Sequence, residues 1–350
     1  MISNWQTKFD NEFVKKPGEH LLIIGITGSG KTQVLIYVIT RIMHLVKDET
    51  VVWFDMGKTT ECFSIPIEMQ KKTKIIIPRG CDIKNLEIDA EPFDCFDTIE
   101  DIWDRIEKDC YNIISINPFI IDPGVYSKTI DYLFRDLIKK AHHYYFEEVK
   151  GIEKLALAFD EFHNIAPAQG HTMIPEQNRI GAIIQMNIEK LRAFKIRFVA
   201  STQGETKIRK GVRTAFNWRI YRRISDRVID IKRLESYQDK IQQLKINEAL
   251  FVFPDKHFEI LNFEEIFEYP DWNKNIQYRG IYEGEIEKKD IKKDIVEVLR
   301  GDIKALEGLL YDKGISVEEI ADTRGKSQRT IHYDLKRRRK EGLIDVGQTY

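Results

Sequence analysis

The sequence predicts an α/β fold in which a mostly parallel sheet carries helices on both faces, followed by a small winged helix-turn-helix domain. Short apolar runs alternate along most of the chain with segments of helical periodicity, and several runs are continuously apolar, as in strands buried on both faces. The composition changes near residue 269 and stays charged through residue 293. We therefore expect a first domain at 1–268, a linker at 269–293 and the winged helix-turn-helix domain at 294–350.

Strands and helices can be placed in order along the first domain. Apolar runs predict strands at residues 21–24, 51–55, 74–78, 111–117, 154–159, 196–200, 218–222, 249–253 and 258–261. Apolar residues at helical spacing predict helices at 31–45, 126–148 and 183–194. Residues 80–110 are acidic and irregular, and we expect a loop there with one amphipathic helix at 99–106. We also expect 167–181 to be a surface loop, and the alternative is a loop that lines a central pore.

Composition narrows the classes of protein that this chain can be. The formal net charge is −1 over 350 residues, so a nucleic-acid-binding surface would have to be local. The four cysteines, Cys62, Cys81, Cys95 and Cys110, form no C-x-x-C pair, and we interpret them as reduced and structural. The sequence shows no secretion signal and no apolar run near the roughly 20 residues that span a bilayer. We therefore expect a cytoplasmic protein with no membrane partner.

The strongest motif follows the first predicted strand. Residues 25–32 read GITGSGKT, which fits G-x-x-x-x-G-K-[ST] between an apolar strand and a helix. Glycines let the backbone N–H groups of such a loop turn inward, and the following helix adds the positive end of its dipole, so the loop suits phosphates. The expected nucleotide-binding residues are Gly25, Thr27, Gly28, Ser29, Gly30, Lys31 and Thr32. In this P-loop, Lys31 would contact the β- and γ-phosphates of ATP and Thr32 would bind Mg²⁺.

Two further strand ends carry polar residues suited to hydrolysis. Asp160 and Glu161 follow one apolar run, and Gln203 follows the next predicted strand. Ligands of parallel sheets bind at the carboxyl ends of the strands, where the P-loop lies as well. We expect Asp160 to hold Mg²⁺, Glu161 to act as general base for the attacking water, and Gln203 to contact the γ-phosphate or that water. His163 is expected to pack locally.

The C-terminal region has the pattern of a helix-turn-helix. We expect helices at 303–311, at 315–321 behind a serine cap, and from 327 to 340. Side chains at the start of the last helix would reach base edges in the major groove, and its basic residues would contact phosphates. The expected DNA-binding residues are Arg324, Lys326, Ser327, Gln328, Arg329, His332, Lys336, Arg337, Arg338, Arg339 and Lys340. The alternative is a charged, solvent-exposed helix of a protein–protein module.

Taken in order, these motifs resemble the HerA/FtsK superfamily of DNA-pumping ATPases, which includes conjugative coupling proteins and packaging ATPases of several viruses. The resemblance covers roughly residues 18–265 and rests on the P-loop, the strand ending at Asp55, the DEFH block at 160–163, the VASTQ block at 199–203 and the runs at 217–220 and 244–250. It implies a RecA-like P-loop NTPase core that forms a ring, usually a hexamer, with ATP bound between subunits. Arg192 occupies the position where relatives place the arginine that completes a neighbour's site, and Arg213 is the next candidate.

The resemblance implies an ATP-driven translocase of double-stranded DNA, working as a ring in viral or plasmid DNA packaging or transfer. Two alternatives remain open. One is a nucleotide-switched DNA-binding protein of the replication-initiator or partition type, without processive translocation. The other is a transcriptional regulator in which the ATPase only controls assembly. Continuous hydrolysis stimulated by DNA would separate the translocase from both.

Overall fold

The structure is a computed structural model. It describes residues 4–56, 60–64, 72–86, 93–147, 154–172, 175–225, 227–228, 230–262, 275–284, 316–324, 327–331 and 335–336. The chain divides into two units, residues 1–284 and 285–350. None of the helices within the described ranges has the length and apolar character needed to cross a bilayer.

A ten-stranded sheet forms the centre of the first unit, and a separate two-stranded sheet lies in the same unit. The strands in chain order are β1 Leu21–Ile24, β2 Thr50–Asp55, β3 Thr73–Pro78, β4 Asp82–Lys84, β5 Phe93–Phe96, β6 Tyr111–Ser115, β7 Leu155–Phe159, β8 Ile196–Thr202, β9 Trp218–Tyr221, β10 Glu248–Val252, β11 Phe258–Asn262 and β12 Gln277–Arg279. The large sheet has the order β11-β10-β9-β1-β8-β7-β2-β6-β3-β5. Neighbours pair in parallel except β10, which is antiparallel to both β9 and β11.

Helices cover both faces of this sheet. The α-helices are α1 Asn4–Phe9, α2 Lys31–Leu45, α3 Pro123–Glu147, α4 Pro175–Ala193, α5 Lys210–Arg213 and α6 Gln238–Gln242 in the first unit, and α7 Val317–Arg324 in the second. One face packs against α3 and α4, and the other packs against α2 and the N-terminal segment. The predicted α/β class is therefore confirmed, and each predicted strand corresponds to a strand of the sheet.

Strand order places the expected site residues on one edge. β1 pairs in parallel with β8, and β8 pairs in parallel with β7. The segments that leave the carboxyl ends of these three strands therefore begin side by side. These segments are the P-loop after β1, Asp160 and Glu161 after β7, and Gln203 after β8.

Aromatic packing fixes the end of β7. Phe159 stacks on Phe54 with ring centroids 4.7 Å apart, and it lies 6.0 Å from Phe134 of α3 and 5.3 Å from Phe198 of β8. All four side chains are buried. Aromatic pairs of this kind contribute about 0.5–1.5 kcal/mol beyond the burial of their area. Because Asp160 follows Phe159 directly, this cluster holds the backbone from which the two acidic side chains project.

The N-terminal segment belongs to the core, which the sequence analysis did not predict. α1 continues as a π-helix at Asp10–Val14. Phe9 and Phe13 are buried, with ring centroids 6.1 Å and 5.6 Å from that of Trp218 on β9. This segment therefore covers β9 on the face that also carries α2.

Two predicted loops contain regular structure. Within 80–110, the chain forms β4 and β5, and the helix expected at 99–106 is replaced by two single turns of 3-10 helix at Ile99–Asp101 and Trp103–Arg105. The loop expected at 167–181 ends early, because α4 already begins at Pro175. Proline is favoured in the first turn of a helix, where its missing N–H costs nothing, so Pro175 marks this start.

Residues 275–284 return to the first unit, although they fall within the predicted linker. β12 pairs antiparallel with β4, and the Tyr278 hydroxyl donates to Asp55 Oδ2 at 2.9 Å. Asp55 also accepts a hydrogen bond of 2.7 Å from Ser115. Burial and the neighbouring Asp55 charge raise the pKa of the Tyr278 phenol. A buried carboxylate at the end of β2 is thus held by a segment that is distant in sequence.

His20 predicts how stability depends on pH. Its ring is buried, Nδ1 accepts from the Phe198 N–H at 3.0 Å and Nε2 lies 3.1 Å from the Ile188 carbonyl, so the neutral ring fits with its hydrogen on Nε2. Burial lowers the pKa of His20 from 6.5 to about 4. The unfolded chain therefore binds this proton first, and its contribution to stability, complete above pH 6.5, falls as the pH is lowered towards 4. At about 1.4 kcal/mol per pKa unit, the loss is about 3 kcal/mol.

Urea unfolding followed by circular dichroism between pH 4 and 7 measures this loss. The matched variant is His20→Leu, which lacks the titrating ring. We expect the free energy of unfolding to rise more steeply with pH in the unsubstituted chain than in the variant. Equal slopes would contradict the assignment to His20.

Candidate nucleotide-binding site

The P-loop adopts a conformation that suits its glycines. Gly28 and Gly30 have φ angles of +76° and +81°, in the left-handed region that other residues rarely enter. Ser29 closes the turn, because its hydroxyl donates to the Ile26 carbonyl at 2.7 Å and its N–H donates to the same oxygen at 3.2 Å. α2 begins at Lys31, directly after Gly30. The loop therefore leads into a helix N-terminus, which is an anion-binding arrangement.

The two side chains at the start of α2 face the end of β7. Lys31 Nζ donates to the Ile26 carbonyl at 3.2 Å and lies 4.0 Å from Glu161 Oε1. The Thr32 hydroxyl donates to Asp160 Oδ2 at 3.2 Å. The cation, the hydroxyl and the two acids that the sequence assigned to phosphate, metal and water are thus neighbours.

Glu161 occupies an unusual backbone conformation. Its φ is +54° and its ψ +50°, in the left-handed region, which costs a residue other than glycine about 1–3 kcal/mol. The Glu161 N–H donates to Asp160 Oδ1 at 3.1 Å and to the Ser201 hydroxyl at 3.2 Å, and that hydroxyl donates in turn to Asp160 Oδ1. The two bonds of Ser201, from β8, hold the strained turn, and the Glu161 carboxylate lies 4.0 Å from Lys31 Nζ.

The carboxylate of Glu161 is enclosed by polar side chains. Gln203 Nε2 donates to Glu161 Oε1 at 3.2 Å, and His163 Nδ1 lies 3.3 Å from Oε2. On the far side of Gln203, Lys207 Nζ donates to Gln203 Oε1 at 2.6 Å. Glu161 itself is only 4% exposed. His163, expected to pack locally, therefore contacts the carboxylate, and Lys207 is a residue that the sequence analysis missed.

The sequence analysis also missed Arg222, whose side chain binds the backbone of the P-loop. It follows β9, its Nε donates to the Ser29 carbonyl at 2.8 Å, and its Nη2 donates to the Ile246 carbonyl. Burial lowers the pKa of this guanidinium to about 10. A β-carbon at position 30 would lie 3.1 Å from Arg222 Nη2. Glycine at this position therefore lets Arg222 approach the loop closely, and it also allows the left-handed backbone conformation.

Glu61 adds a third acidic group near the P-loop. Partial desolvation and the Asp160 charge raise the pKa of its carboxyl, while a hydrogen bond with the Thr32 side chain and the charge of Lys31 oppose the rise. It lies in a turn of 3-10 helix at Thr60–Phe63 that follows β2. Nothing in its local sequence marks it, because the contact depends on the pairing of β2 with β7.

The residues present suit Mg²⁺ bound together with a nucleotide. Among the residues that the structure describes, no three His, Cys, Asp or Glu side chains form a self-sufficient metal cluster. Mg²⁺ in nucleotide enzymes does not need one, because it keeps several waters and takes one or two protein oxygens plus phosphate oxygens. The adjacent oxygens of Thr32 and Asp160 supply that kind of pair.

The two arginine-finger candidates have different surroundings. Arg192, at the end of α4, donates to Glu19 at 2.6 Å and keeps 38% of its side chain exposed. Glu19 precedes β1, so Arg192 lies at the amino ends of the strands, away from the P-loop of its own chain. Arg213 pairs with Asp230 at 2.9 Å and is 11% exposed. Arg192 is therefore the more exposed of the two to solvent.

Some residues of the expected DNA-binding set are described in the second unit. α7 ends at Arg324, and a helical segment begins after Ser327, whose hydroxyl accepts the Thr330 N–H at 3.3 Å as a cap. The side chains of Ser327, Gln328, Arg329 and Lys336 are exposed. The remaining predictions, Lys326, His332, Arg337, Arg338, Arg339, Lys340 and the helix at 303–311, lie outside the described residues.

Comparisons with known proteins found similar structures but no similar sequence. No protein-family model matches the chain, and no curated protein matches it. The genome packaging NTPase B204 of Sulfolobus turreted icosahedral virus 2, in complex with ATP-gammaS, is 14% identical with a TM-score of 0.43, over 70% of this chain and 97% of that one. The pCW3 conjugation coupling protein TcpA, in its monomer form with ATPgS, is 14% identical with a TM-score of 0.41, over 72% of this chain and 62% of that one.

A third match is Thermomonospora curvata EccC (ATPases 2 and 3), which is 12% identical with a TM-score of 0.43, over 71% of this chain and 38% of that one. At such identities these matches are likenesses of fold.

Proposed function

We propose that this protein hydrolyses ATP to move double-stranded DNA. The hydrolytic part rests on the side chains that meet at the carboxyl ends of neighbouring strands. Thr32 pairs with Asp160, and Lys31 and Gln203 both contact Glu161. The DNA part rests on the ordered set of motifs, which resembles the HerA/FtsK superfamily.

Each side chain has a role that its chemistry suits. The inward N–H groups of the P-loop and the Lys31 ammonium would bind the phosphates of ATP, and Thr32 and Asp160 would hold Mg²⁺, which neutralises charge on the phosphate oxygens. Glu161 would accept a proton from the attacking water, a role that nucleotide binding alone does not require. Gln203 would orient that water. The strained backbone of Glu161 agrees with a catalytic role, because such strain concentrates at functional sites.

We propose further that the protein works as a ring, with six subunits as the expected number, and that Arg192 reaches the site of a neighbouring subunit. Its position at the opposite edge from its own P-loop supports this reading, since only another subunit's nucleotide could come near it. Release of Glu19 would free the guanidinium for a phosphate. The proposed DNA-binding residues of the second unit would load or steer the motor, and a cytoplasmic location fits such a role.

Steady-state ATP hydrolysis with and without long linear double-stranded DNA tests this function. We expect DNA to raise turnover severalfold, and we expect long duplexes to stimulate more than short ones at equal total base-pair concentration, because a translocating enzyme keeps working along the track. Slow turnover that is indifferent to DNA length would contradict the motor and favour a nucleotide-switched DNA-binding protein or a regulator whose ATPase controls assembly.

A further inference from the structure

A chain of hydrogen bonds joins the carboxylate of Glu161 to an exposed turn of the protein. Lys207 donates from Nζ to Gln203 Oε1 at 2.6 Å, and Gln203 donates from Nε2 to Glu161 Oε1 at 3.2 Å. At its backbone, the Lys207 carbonyl accepts the Ala168 N–H at 2.8 Å. We name this series, Ala168 to Lys207 to Gln203 to Glu161, the Lys207 relay.

The exposed end of the relay is a turn of 3-10 helix at Gln169–His171, and none of its residues is buried. The segment before this turn is pinned to the segment that carries Lys207. Pro167 and Ile208 form an antiparallel bridge, and the Arg209 N–H donates to the Ala166 carbonyl at 3.1 Å. An anion that contacts the exposed turn therefore lies next to the backbone of the segment that carries Lys207.

The backbone on either side of Lys207 is anchored. Glu205 is buried and accepts from Arg219 Nη1 at 2.7 Å and from the Tyr221 hydroxyl at 2.5 Å, while Ile208 is fully buried. The Lys207 side chain is only partly buried. The movable part of this segment is therefore the lysine side chain, which can change its acceptor without any change in the fold.

The Lys207 contact fixes the direction of the Gln203 amide. Because the ammonium can only donate, it requires the amide oxygen on its own side, and the amide NH₂ must then face Glu161. Glu161, whose carboxylate receives this bond, is only 4% exposed, and the same carboxylate faces His163 and Lys31. In this arrangement a water molecule has little access to the Glu161 carboxylate, so the carboxylate cannot act as a general base.

We propose that Lys207 couples DNA contact at the 169–171 turn to the release of Glu161. A DNA phosphate at this turn would compete with the neutral Gln203 amide for the Lys207 ammonium, and a charged acceptor forms the stronger bond. Gln203 would then be free to rotate, and Glu161 Oε1 would become available to the attacking water. Lys207 is thus a positioning residue that acts through Gln203, and this proposal rests on the function proposed above.

The test compares Lys207→Met with Lys210→Met, which removes an exposed lysine from the same segment, and with Lys207→Arg, which keeps a donor. ATP hydrolysis is measured with and without saturating double-stranded DNA, and the Kd for ATP is measured separately. We expect Lys207→Met to hydrolyse ATP severalfold faster than the unsubstituted chain without DNA, with the same Kd and almost no further stimulation. Lys210→Met and Lys207→Arg should keep the stimulation.

Each other outcome rejects a specific step. Equal stimulation of Lys207→Met and the unsubstituted chain would overturn the relay and leave the motor function standing. A proportional fall of both rates in Lys207→Met would show that Lys207 holds Glu161 in its working position, which also overturns the relay. Absence of stimulation in the unsubstituted chain would overturn the proposed function and the relay together. If Lys207→Met does not fold, Lys207→Gln provides the same comparison.

Discussion

Glu161→Gln is expected to lower the rate of ATP hydrolysis by about 10²–10⁴-fold, the range that a positioned general base supplies, while the Kd for ATP changes little. The amide has the shape of the carboxylate and can still accept the hydrogen bond from Gln203 that Glu161 Oε1 accepts at 3.2 Å. It cannot take a proton from water. The P-loop backbone and Lys31, which would bind the phosphates, are unchanged by the substitution.

The measurement is single-turnover hydrolysis beside a fluorescence titration with a nucleotide analogue. Glu259→Gln is the matched control, because Glu259 lies on the antiparallel edge strand β11 with 42% of its side chain exposed, and its substitution should change neither value. Asp160→Asn provides a contrast, since it should weaken the Mg²⁺-dependent part of nucleotide binding. A rate within tenfold of the unsubstituted chain would mean that the proton of the attacking water goes elsewhere.

The site residues could be predicted wherever a recognisable apolar strand directly precedes them in the sequence. The P-loop and the Asp160–Glu161 pair each follow an apolar run, so the sequence gives both the strand and the residue at its end. Parallel order then places these ends together. Gln203 could be predicted for the same reason, because it follows β8 directly.

Lys207 and Arg222 were not predictable, because their roles depend on contacts between distant segments. Arg222 is next to its partner Ser29 only because β9 pairs with β1. β5 was missed for a similar reason: its pattern of exposed and half-buried residues is not a strand signal, and its pairing with β3 at the sheet edge makes it a strand. Phe9 and Phe13 were missed because they lie in a short polar segment. Their burial depends on packing against a distant residue, Trp218.

Arg197→Met is expected to lower the free energy of unfolding by about 3–5 kcal/mol, the cost of leaving a buried charge without its partner. Arg197 and Glu49 have fully buried side chains, and the guanidinium donates to Glu49 Oε1 at 2.5 Å and to Glu49 Oε2. It also donates to the Phe13 and Val14 carbonyls at 2.9 Å and 2.7 Å. Loss of the guanidinium would thus leave a buried carboxylate and two backbone carbonyl groups without their hydrogen-bond donor.

The control is Lys154→Met, which breaks the ion pair of Lys154 with Asp48, whose side chains are 31% and 65% exposed. Exposed pairs contribute about 0–1 kcal/mol, so chemical denaturation should separate the two variants clearly. The double variant Arg197→Met/Glu49→Met tests the cause, because it removes the stranded charge along with its partner. We expect it to be more stable than Arg197→Met alone. If it is less stable by the full cost of a second substitution, the loss in Arg197→Met comes from the backbone bonds that hold the N-terminal segment, and the ion pair contributes little.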